Sequence, residues 1–200
     1  MAQMLDVICF DLMGTVVYDP YLEALEAATG MDVTAAHAVK DPHSWPQFEV
    51  GAIDEAEFVR RFFVDTDAGH RFDVEAFHRV RRDGYCFLPG MAELLEALDG
   101  TVRRYVASNY PVWIEELRSQ FEFDRHFEGV YVSCHLGVRK PDPAFFRAML
   151  DGIGVSPDRC LFVDDRRINC EAASAVGMAA HRFTDAGALR ARLRAEGVPV

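Results

Sequence analysis

Short apolar runs without polar alternation recur along this chain, and helical patterns separate them. The runs are "VICFD" (7–11), "VRRYVAS" (102–108), "GVYVSC" (129–134), "CLFVD" (160–164) and "MAAHRF" (178–183). A strand with this pattern is buried on both faces, which is typical of a parallel sheet. The alternation of strand and helix therefore predicts an α/β fold, a Rossmann-like doubly wound parallel sheet with helices on both faces.

The segments between the later runs place their apolar residues on one helical face. In "GMAELLEALDG", Met91, Leu94, Leu95 and Leu98 fall at positions 0, 3, 4 and 7, which is the spacing of one face of a helix. Similar patterns occur in "PVWIEELRSQF", "DPAFFRAMLDGIG" and "INCEAASAVGM". Strand and helix therefore alternate through most of the second half of the chain.

Residues 19–85 interrupt this alternation, because they contain helical patterns and no strong strand pattern. We predict two domains: an α/β core of residues 1–18 and 86–200, and a small all-helical cap of residues 19–85 inserted after the first strand. The chain leaves that strand at its carboxyl end, so the cap is expected to lie over that edge of the sheet. Within the cap, the prolines of "DPHSWPQFEVG" (41–51) predict an irregular loop.

The net charge, the lengths of the apolar runs and the cysteine spacing argue against several classes of binding partner and location. A formal net charge of -11 argues against a nucleic-acid partner and an anionic membrane surface. There is no apolar run of about 18 residues or more, which predicts no membrane-spanning helix, and no basic leader precedes an apolar stretch. The five cysteines are scattered without a CxxC pair, which suits a reducing cytoplasm. We expect a cytoplasmic protein, either a monomer or a homodimer.

Residues with useful chemistry follow successive predicted strands. In open α/β sheets, ligands bind beyond the carboxyl ends of the strands. The residues expected there are Asp11, Ser108, Asn109, Lys140, Asp164 and Asp165. Each alone has a structural explanation, because a strand-end aspartate often caps a helix or a turn. Together they predict one site that holds three carboxylates, a hydroxyl and an ammonium group.

The segments "FDLMGT", "SNY", "RKPDP" and "FVDDRRINCEAA" resemble, in kind and order, the four motifs of the haloacid dehalogenase-like hydrolase superfamily. The chain is most similar to the small-capped phosphatases of that superfamily. The resemblance implies that Asp11 is a nucleophile that forms an aspartyl-phosphate. It implies that Ser108 and Lys140 hold and neutralise the phosphoryl group of a small anionic substrate, with Asn109 and Thr15 beside it.

The resemblance also implies a Mg²⁺ site. Its ligands would be Asp11, Asp164 and the main-chain carbonyl of Met13, and Asp165 would assist directly or through water. Elementary electrostatics agrees, because three carboxylates without a cation would strongly repel a phosphate group. A small, hard dication with oxygen ligands suits such a site.

The chain departs from the family pattern at Met13. The family's phosphatases have a second aspartate there, which protonates the leaving alcohol and then activates water. Methionine moves no proton, and general acid–base catalysis is typically worth about 10²–10⁴-fold. Alkyl phosphates are therefore expected to be poor substrates.

Met13 leaves several interpretations open. The favoured one is a Mg²⁺-dependent phosphatase for activated leaving groups, such as acyl phosphates or acidic phenols. A metal-independent 2-haloacid dehalogenase comes next, since halide leaves without a proton. A catalytically impaired protein that binds a phosphorylated ligand is third. Phosphonate cleavage through a Schiff base would need a cap lysine, and Lys40 is the only lysine of residues 19–85.

Overall fold

The computed structural model describes residues 5–65 and 68–200. Within them, five parallel strands form one sheet in the order β3-β2-β1-β4-β5. The strands are β1 (Val7–Phe10), β2 (Arg103–Ser108), β3 (Gly129–Val132), β4 (Cys160–Asp164) and β5 (Ala179–Arg182). The predicted strands are thus confirmed, and so is the doubly wound α/β fold.

Helices connect these strands. Between β1 and β2 lie α1 (Tyr21–Thr29), α2 (Val33–Val39), α3 (Ser44–Glu49), α4 (Glu55–Arg60), α5 (Val74–Gly84) and α6 (Met91–Ala97). After β2 come α7 (Ile114–Gln120), α8 (Phe123–His126), α9 (Ser133–Leu136), α10 (Pro143–Ile153), α11 (Arg167–Ala175) and α12 (Ala186–Ala195).

Alternate residues of the central strand face the two helical layers. Val7 and Cys9 pack in a cluster with residues of α10 and α11, whereas Ile8 and Phe10 pack with residues of α6 and α12. All four side chains are fully buried. Burial on both faces explains why β1 shows a continuous apolar run instead of alternation.

The prediction of an irregular loop at 41–51 was wrong, because Ser44–Glu49 form helix α3. Pro46 lies in the first turn of that helix. The first N–H groups of a helix have no partner within it, so a proline there removes no helical hydrogen bond. Phe48 lies in this helix and is fully buried.

The helices between β1 and β2 share an aromatic cluster. Phe48 stacks on Phe58 with ring centroids 4.9 Å apart, and Phe48 also lies 4.9 Å from the ring of Trp113, which follows β2. Phe62 and Phe77 belong to the same buried set. The cluster therefore joins the inserted helices to the sheet side of the molecule, while their division into a separate cap stays a prediction.

Truncating this cluster is expected to destabilise the protein. Phe58 is 1% exposed, so Phe58→Ala should lower the free energy of unfolding by about 3–5 kcal/mol. Urea denaturation followed by circular dichroism measures the change. The control is Leu22→Ala on the exposed side of α1, where Leu22 is 48% exposed; it should change stability by about 0.5 kcal/mol or less. Equal effects would contradict the cluster's role.

Candidate active site

The central strand β1 lies between β2 and β4, and the strand order reverses at this position. Such a switch point is where open α/β sheets bind ligands. Asp11 directly follows β1, Ser108 ends β2 and Asp164 ends β4. The parallel topology therefore brings these three side chains to one edge, as the sequence predicted.

Lys140 joins the carboxylates at this edge. Its Nζ lies 3.0 Å from Asp11 Oδ1, and it donates to Asp164 Oδ2 at 2.6 Å and to the main-chain oxygen of Ala107 at 2.7 Å. Ser108 Oγ donates to the same Asp11 Oδ1 at 2.9 Å. Lys140 is 1% exposed, so this ammonium group is a fixed part of the interior and not a mobile surface charge.

Three carboxylates lie close enough to share one ion. Oxygen atoms of Asp11, Asp164 and Asp165 all lie within 4.8 Å of one another. With the ammonium of Lys140 beside them, the formal charge of the group is -2, which matches a divalent cation. An all-oxygen set of ligands fits Mg²⁺, which prefers carboxylates and water. The residues present therefore fit the metal that the sequence implied.

A glycine makes room for this cluster. Gly14 has a φ of +75°, in the region that favours glycine, and a Cβ at this position would lie 3.0 Å from Asp165 Oδ2. The tight turn after Asp11 therefore needs glycine both for its backbone conformation and for the close approach of Asp165.

Burial and neighbouring charges both shift the pKa values of the ionisable groups at this edge. Burial raises the pKa of Asp11 to about 7; Lys140 lowers it and Asp164 raises it further. Burial alone would lower the pKa of Lys140, but the carboxylates of Asp11 and Asp164 raise it overall. Burial, and next the charge of Asp164, raise the pKa of Asp165. Neighbouring carboxylates resist ionising together, because each charge disfavours the charged form of the other.

Two amide side chains position the site. Asn109 donates from Nδ2 to the main-chain oxygen of Lys140 at 2.8 Å, and its Oδ1 accepts from the Lys140 N–H at 2.8 Å. Asn169 donates to both carboxylate oxygens of Asp164, at 3.1 and 3.0 Å. Asn109, predicted beside the substrate, thus lines the cavity but also clamps the lysine loop. Thr15 is fully buried and does not line the cavity over the site, so its role beside the substrate stays a prediction.

A cavity of about 270 Å³ opens over these groups. Met13, Ser108, Lys140 and Asp165 contribute to its wall, as does Asp11. The inserted helices and their flanks supply another part of the wall, which includes Asp19, Tyr21, Lys40, Glu49 and Arg81. The cavity therefore spans the predicted catalytic edge and the predicted cap.

Sequence reasoning missed several of these cavity residues. Burial raises the pKa of Asp19 to about 6, with the Tyr21 N–H lowering it and the charges of Glu23 and Asp165 raising it. Lys40 donates from Nζ to Tyr21 Oη at 2.8 Å, and burial lowers its pKa. The sequence does hold a sign of Arg81. It follows Phe77 by four positions, so a helix places both residues on the same face, and that face of α5 is buried.

Comparison with known proteins identifies the relatives of this chain. A family model described as haloacid dehalogenase-like hydrolase matches residues 5–177. Flavin mononucleotide hydrolase 1 of the chloroplast, from Arabidopsis thaliana, is 36% identical over 98% of this chain and 79% of its own length. The sesquiterpene phosphatase astK of Aspergillus oryzae is 29% identical over 92% of this chain and 93% of its own length.

Solved structures share the fold. A haloacid dehalogenase-like enzyme of Bacteroides thetaiotaomicron, in complex with magnesium and inorganic phosphate, superposes with a TM-score of 0.71 at 19% identity. The match covers 91% of this chain and 96% of that one. Across the part of our chain that the structure describes, none of the helices combines the length and the apolar character needed to cross a membrane.

Proposed function

The chain belongs to the haloacid dehalogenase-like hydrolases, and on that premise we propose that this enzyme is a Mg²⁺-dependent phosphatase with Asp11 as its nucleophile. One observation carries the proposal: the Asp11 carboxylate is held by a hydroxyl and an ammonium group beside two further carboxylates. Two relatives that match over most of the chain are named for phosphate ester hydrolysis.

The proposed reaction has two steps. The Asp11 carboxylate attacks phosphorus, the bond to the leaving oxygen breaks, and an aspartyl-phosphate remains. Water then attacks phosphorus, which releases inorganic phosphate and restores the carboxylate. Ser108 and Lys140 fix the Asp11 carboxylate before substrate arrives, and the positive charge of Lys140 would stabilise the negative charge of the transferring phosphoryl group. Bound Mg²⁺, held by Asp11, Asp164, Asp165 and the Met13 carbonyl, would offset the negative charge of the phosphoryl group.

The leaving group is where this chain differs from the family pattern. Met13 lines the cavity beside Asp11 and offers no proton to a departing alkoxide. We propose that leaving groups that are stable as anions, such as acetate and nitrophenolate, depart readily, whereas alkyl phosphates react slowly unless other contacts compensate. Flavin mononucleotide, which gives one relative its name, is an alkyl phosphate and therefore a substrate to test.

We propose that the helices from α1 to α5 act as a cap that excludes water from the site. Residues from these helices, among them Tyr21, Glu49 and Arg81, line the same cavity as Asp11. A closed cap strengthens electrostatic contacts and protects the aspartyl-phosphate from premature side reactions. The substrate is then a small phosphorylated molecule that fits between cap and sheet.

Metal removal tests the proposed function. Hydrolysis of acetyl phosphate and p-nitrophenyl phosphate should fall at least about 10-fold in EDTA and return when Mg²⁺ is added in excess, because a metal ion supplies several kcal/mol of charge stabilisation. Colorimetric phosphate release measures both reactions.

Two results would contradict the phosphatase. One is release of halide from 2-chloropropionate without metal, which would identify a dehalogenase. The other is a rise in melting temperature with phosphate and Mg²⁺ but no turnover of any phosphate ester, which would identify a binding protein.

A further inference from the structure

Lys40 is a half-buried cation on the cap side of the cavity. It directly follows helix α2 and lines the cavity that contains Asp11. An ammonium group has three N–H donors, and the Lys40 Nζ uses one of them to donate to Tyr21 Oη at 2.8 Å. Across the described residues, no carboxylate oxygen lies within 4.0 Å of this nitrogen. The remaining donors and the positive charge are therefore available to a ligand in the cavity.

Main-chain contacts hold the segment around Lys40 in place. The Lys40 N–H donates to the Ala36 oxygen at 3.0 Å, and the Asp41 N–H donates to the Phe62 oxygen at 2.7 Å. Lys40 also forms an isolated antiparallel bridge with Phe63. Because none of these contacts uses the ammonium group, replacing the Lys40 side chain should leave the fold of the segment unchanged.

The hydroxyl of Tyr21 is a second donor on this wall. The Tyr21 ring packs against the rings of Trp45 and Phe77, whose centroids lie 5.0 and 6.1 Å away. The Tyr21 oxygen accepts from Lys40, and no described residue accepts its own proton. Tyr21 also lines the cavity, so this proton can go to a ligand there. We call Lys40 and Tyr21 the donor pair.

The charges around the donor pair favour a hydroxyl group over a carboxylate as its ligand. Glu49, whose charge also acts on Lys40, lies 3.1 Å from Arg139 Nη2 and is largely offset by it. Asp19 lines the same cavity, and its Oδ1 accepts from the Tyr21 N–H at 3.1 Å. Asp19 would repel a carboxylate on the substrate. A hydroxyl group both accepts and donates, so it can accept from the donor pair and donate to Asp19.

The leaving group of the substrate points away from Asp11. In phosphoryl transfer the attacking and the leaving oxygens lie roughly in line on phosphorus. With Asp11 attacking from the sheet edge, the bond that breaks is directed to the part of the cavity that the inserted helices enclose. The cavity of about 270 Å³ equals about nine waters at ~30 Å³ each, so a phosphoryl group and a short chain fill much of it.

We propose that Lys40 and Tyr21 determine substrate specificity by donating hydrogen bonds to a hydroxyl oxygen of the leaving group, close to the phosphate ester bond. The proposal rests on the proposed function, since it names the leaving-group class for the same site. The donor pair supplies no acid in place of Met13. It favours hydroxylated leaving groups over apolar chains of the same length.

The test compares phosphate esters of three-carbon chains. Glycerol 3-phosphate and n-propyl phosphate are both primary alkyl esters, and they differ in two hydroxyl groups. The wild-type kcat/KM should be higher for glycerol 3-phosphate by about 10-fold or more, the size expected of a hydrogen bond to a charged group. The phosphate ester of 3-hydroxypropanoate, which has a carboxylate instead, should react more slowly than glycerol 3-phosphate. A glycerol-to-propyl ratio near one, or a preference for the carboxylate, would overturn the proposal.

Two variants locate the preference in the donor pair. Lys40→Met keeps the length of the side chain without its charge, and the glycerol-to-propyl ratio should fall about 10-fold. Tyr21→Phe keeps the ring and removes one neutral donor, so the ratio should fall about 3-fold. The hydroxyl groups of glycerol also make its alkoxide a better leaving group, but this effect is the same in every variant. The ratio does not depend on the amount of folded enzyme. An unchanged ratio in Lys40→Met would overturn the proposal.

Two control variants match these changes in chemistry. Arg60 carries a charge on helix α4 with 67% of its side chain exposed, and Tyr131 is partly buried beside the sheet. Neither residue lines the cavity. Arg60→Met and Tyr131→Phe should leave the ratio unchanged. If Arg60→Met lowered it as much as Lys40→Met, the preference would come from the overall charge of the cap and the donor pair would be rejected.

Acetyl phosphate separates this proposal from the proposed function. Its Mg²⁺-dependent hydrolysis, together with a glycerol-to-propyl ratio near one, would support the phosphatase and reject the donor pair. If no phosphate compound is hydrolysed, the proposed function fails and binding tests the donor pair. With Mg²⁺ present, glycerol 3-phosphate should then raise the melting temperature of the wild type more than n-propyl phosphate does, and this difference should disappear in Lys40→Met. Equal shifts in the wild type would reject the donor pair as well.

Discussion

Replacing Asp11 with asparagine is expected to lower kcat for acetyl phosphate by about 10⁴-fold or more, as loss of a catalytic nucleophile does in other hydrolases. The amide oxygen is a poor nucleophile and cannot form an aspartyl-phosphate. The variant should still fold, because asparagine keeps an oxygen that can accept from Ser108 Oγ and from the Leu12 N–H. In the wild-type structure these two donors lie 2.9 and 2.8 Å from Asp11 Oδ1. Lys140 keeps its pair with Asp164.

The matched control is Asp185→Asn. Asp185 caps helix α12 by accepting from the Ala188 N–H at 2.8 Å, and asparagine caps helices about as well as aspartate. It should change neither activity nor melting temperature measurably. Rapid acid quench and mass spectrometry should detect a phosphorylated peptide containing Asp11 in wild type and none in Asp11→Asn. If Asp11→Asn kept activity near the wild-type level, Asp11 would not be the nucleophile.

The strands were predictable because strands that are buried on both faces form continuous apolar runs in the sequence. "VICF" (7–10) is apolar throughout because both faces of β1 are covered, by α10 and α11 on one side and by α6 and α12 on the other. Helix α3 was not predictable in the same way, because proline near its start was taken as a break. Whether a proline ends a helix or lies in its first turn depends on which residues are buried, and Phe48 is buried through rings that come from α4 and from beyond β2.

The acidic half of the site was predictable for a topological reason. Residues that end parallel strands must meet at one edge, so Asp11, Ser108 and Asp164 were placed together without knowledge of any contact. The cavity wall opposite the sheet was not predictable. The guanidinium carbon of Arg81 lies 4.5 Å from the ring centroid of Trp113, and no local sequence pattern predicts that contact between residues that are 32 positions apart.

Met13→Asp is expected to raise kcat/KM for glycerol 3-phosphate by about 100-fold, within the 10²–10⁴ range of general acid–base catalysis. The new carboxyl would lie in the cavity wall beside Asp11, where it could protonate the departing alkoxide. Nearby carboxylates raise the pKa of such a group, which keeps part of it protonated near neutral pH. Acetyl phosphate should gain little, because acetate leaves without a proton. The diagnostic quantity is thus the ratio of the two kcat/KM values.

Met13→Asn is the matched control for this gain, since it has the shape and polarity of aspartate without a titrating proton. If asparagine raised alkyl phosphate hydrolysis as much as aspartate, the gain would come from space or polarity and the argument from proton transfer would be wrong. If Met13→Asp folded, responded to Mg²⁺ and showed no gain, another group would already supply the proton. Asp19 is the candidate, because it lines the same cavity, and Asp19→Asn should then slow alkyl phosphates more than acetyl phosphate.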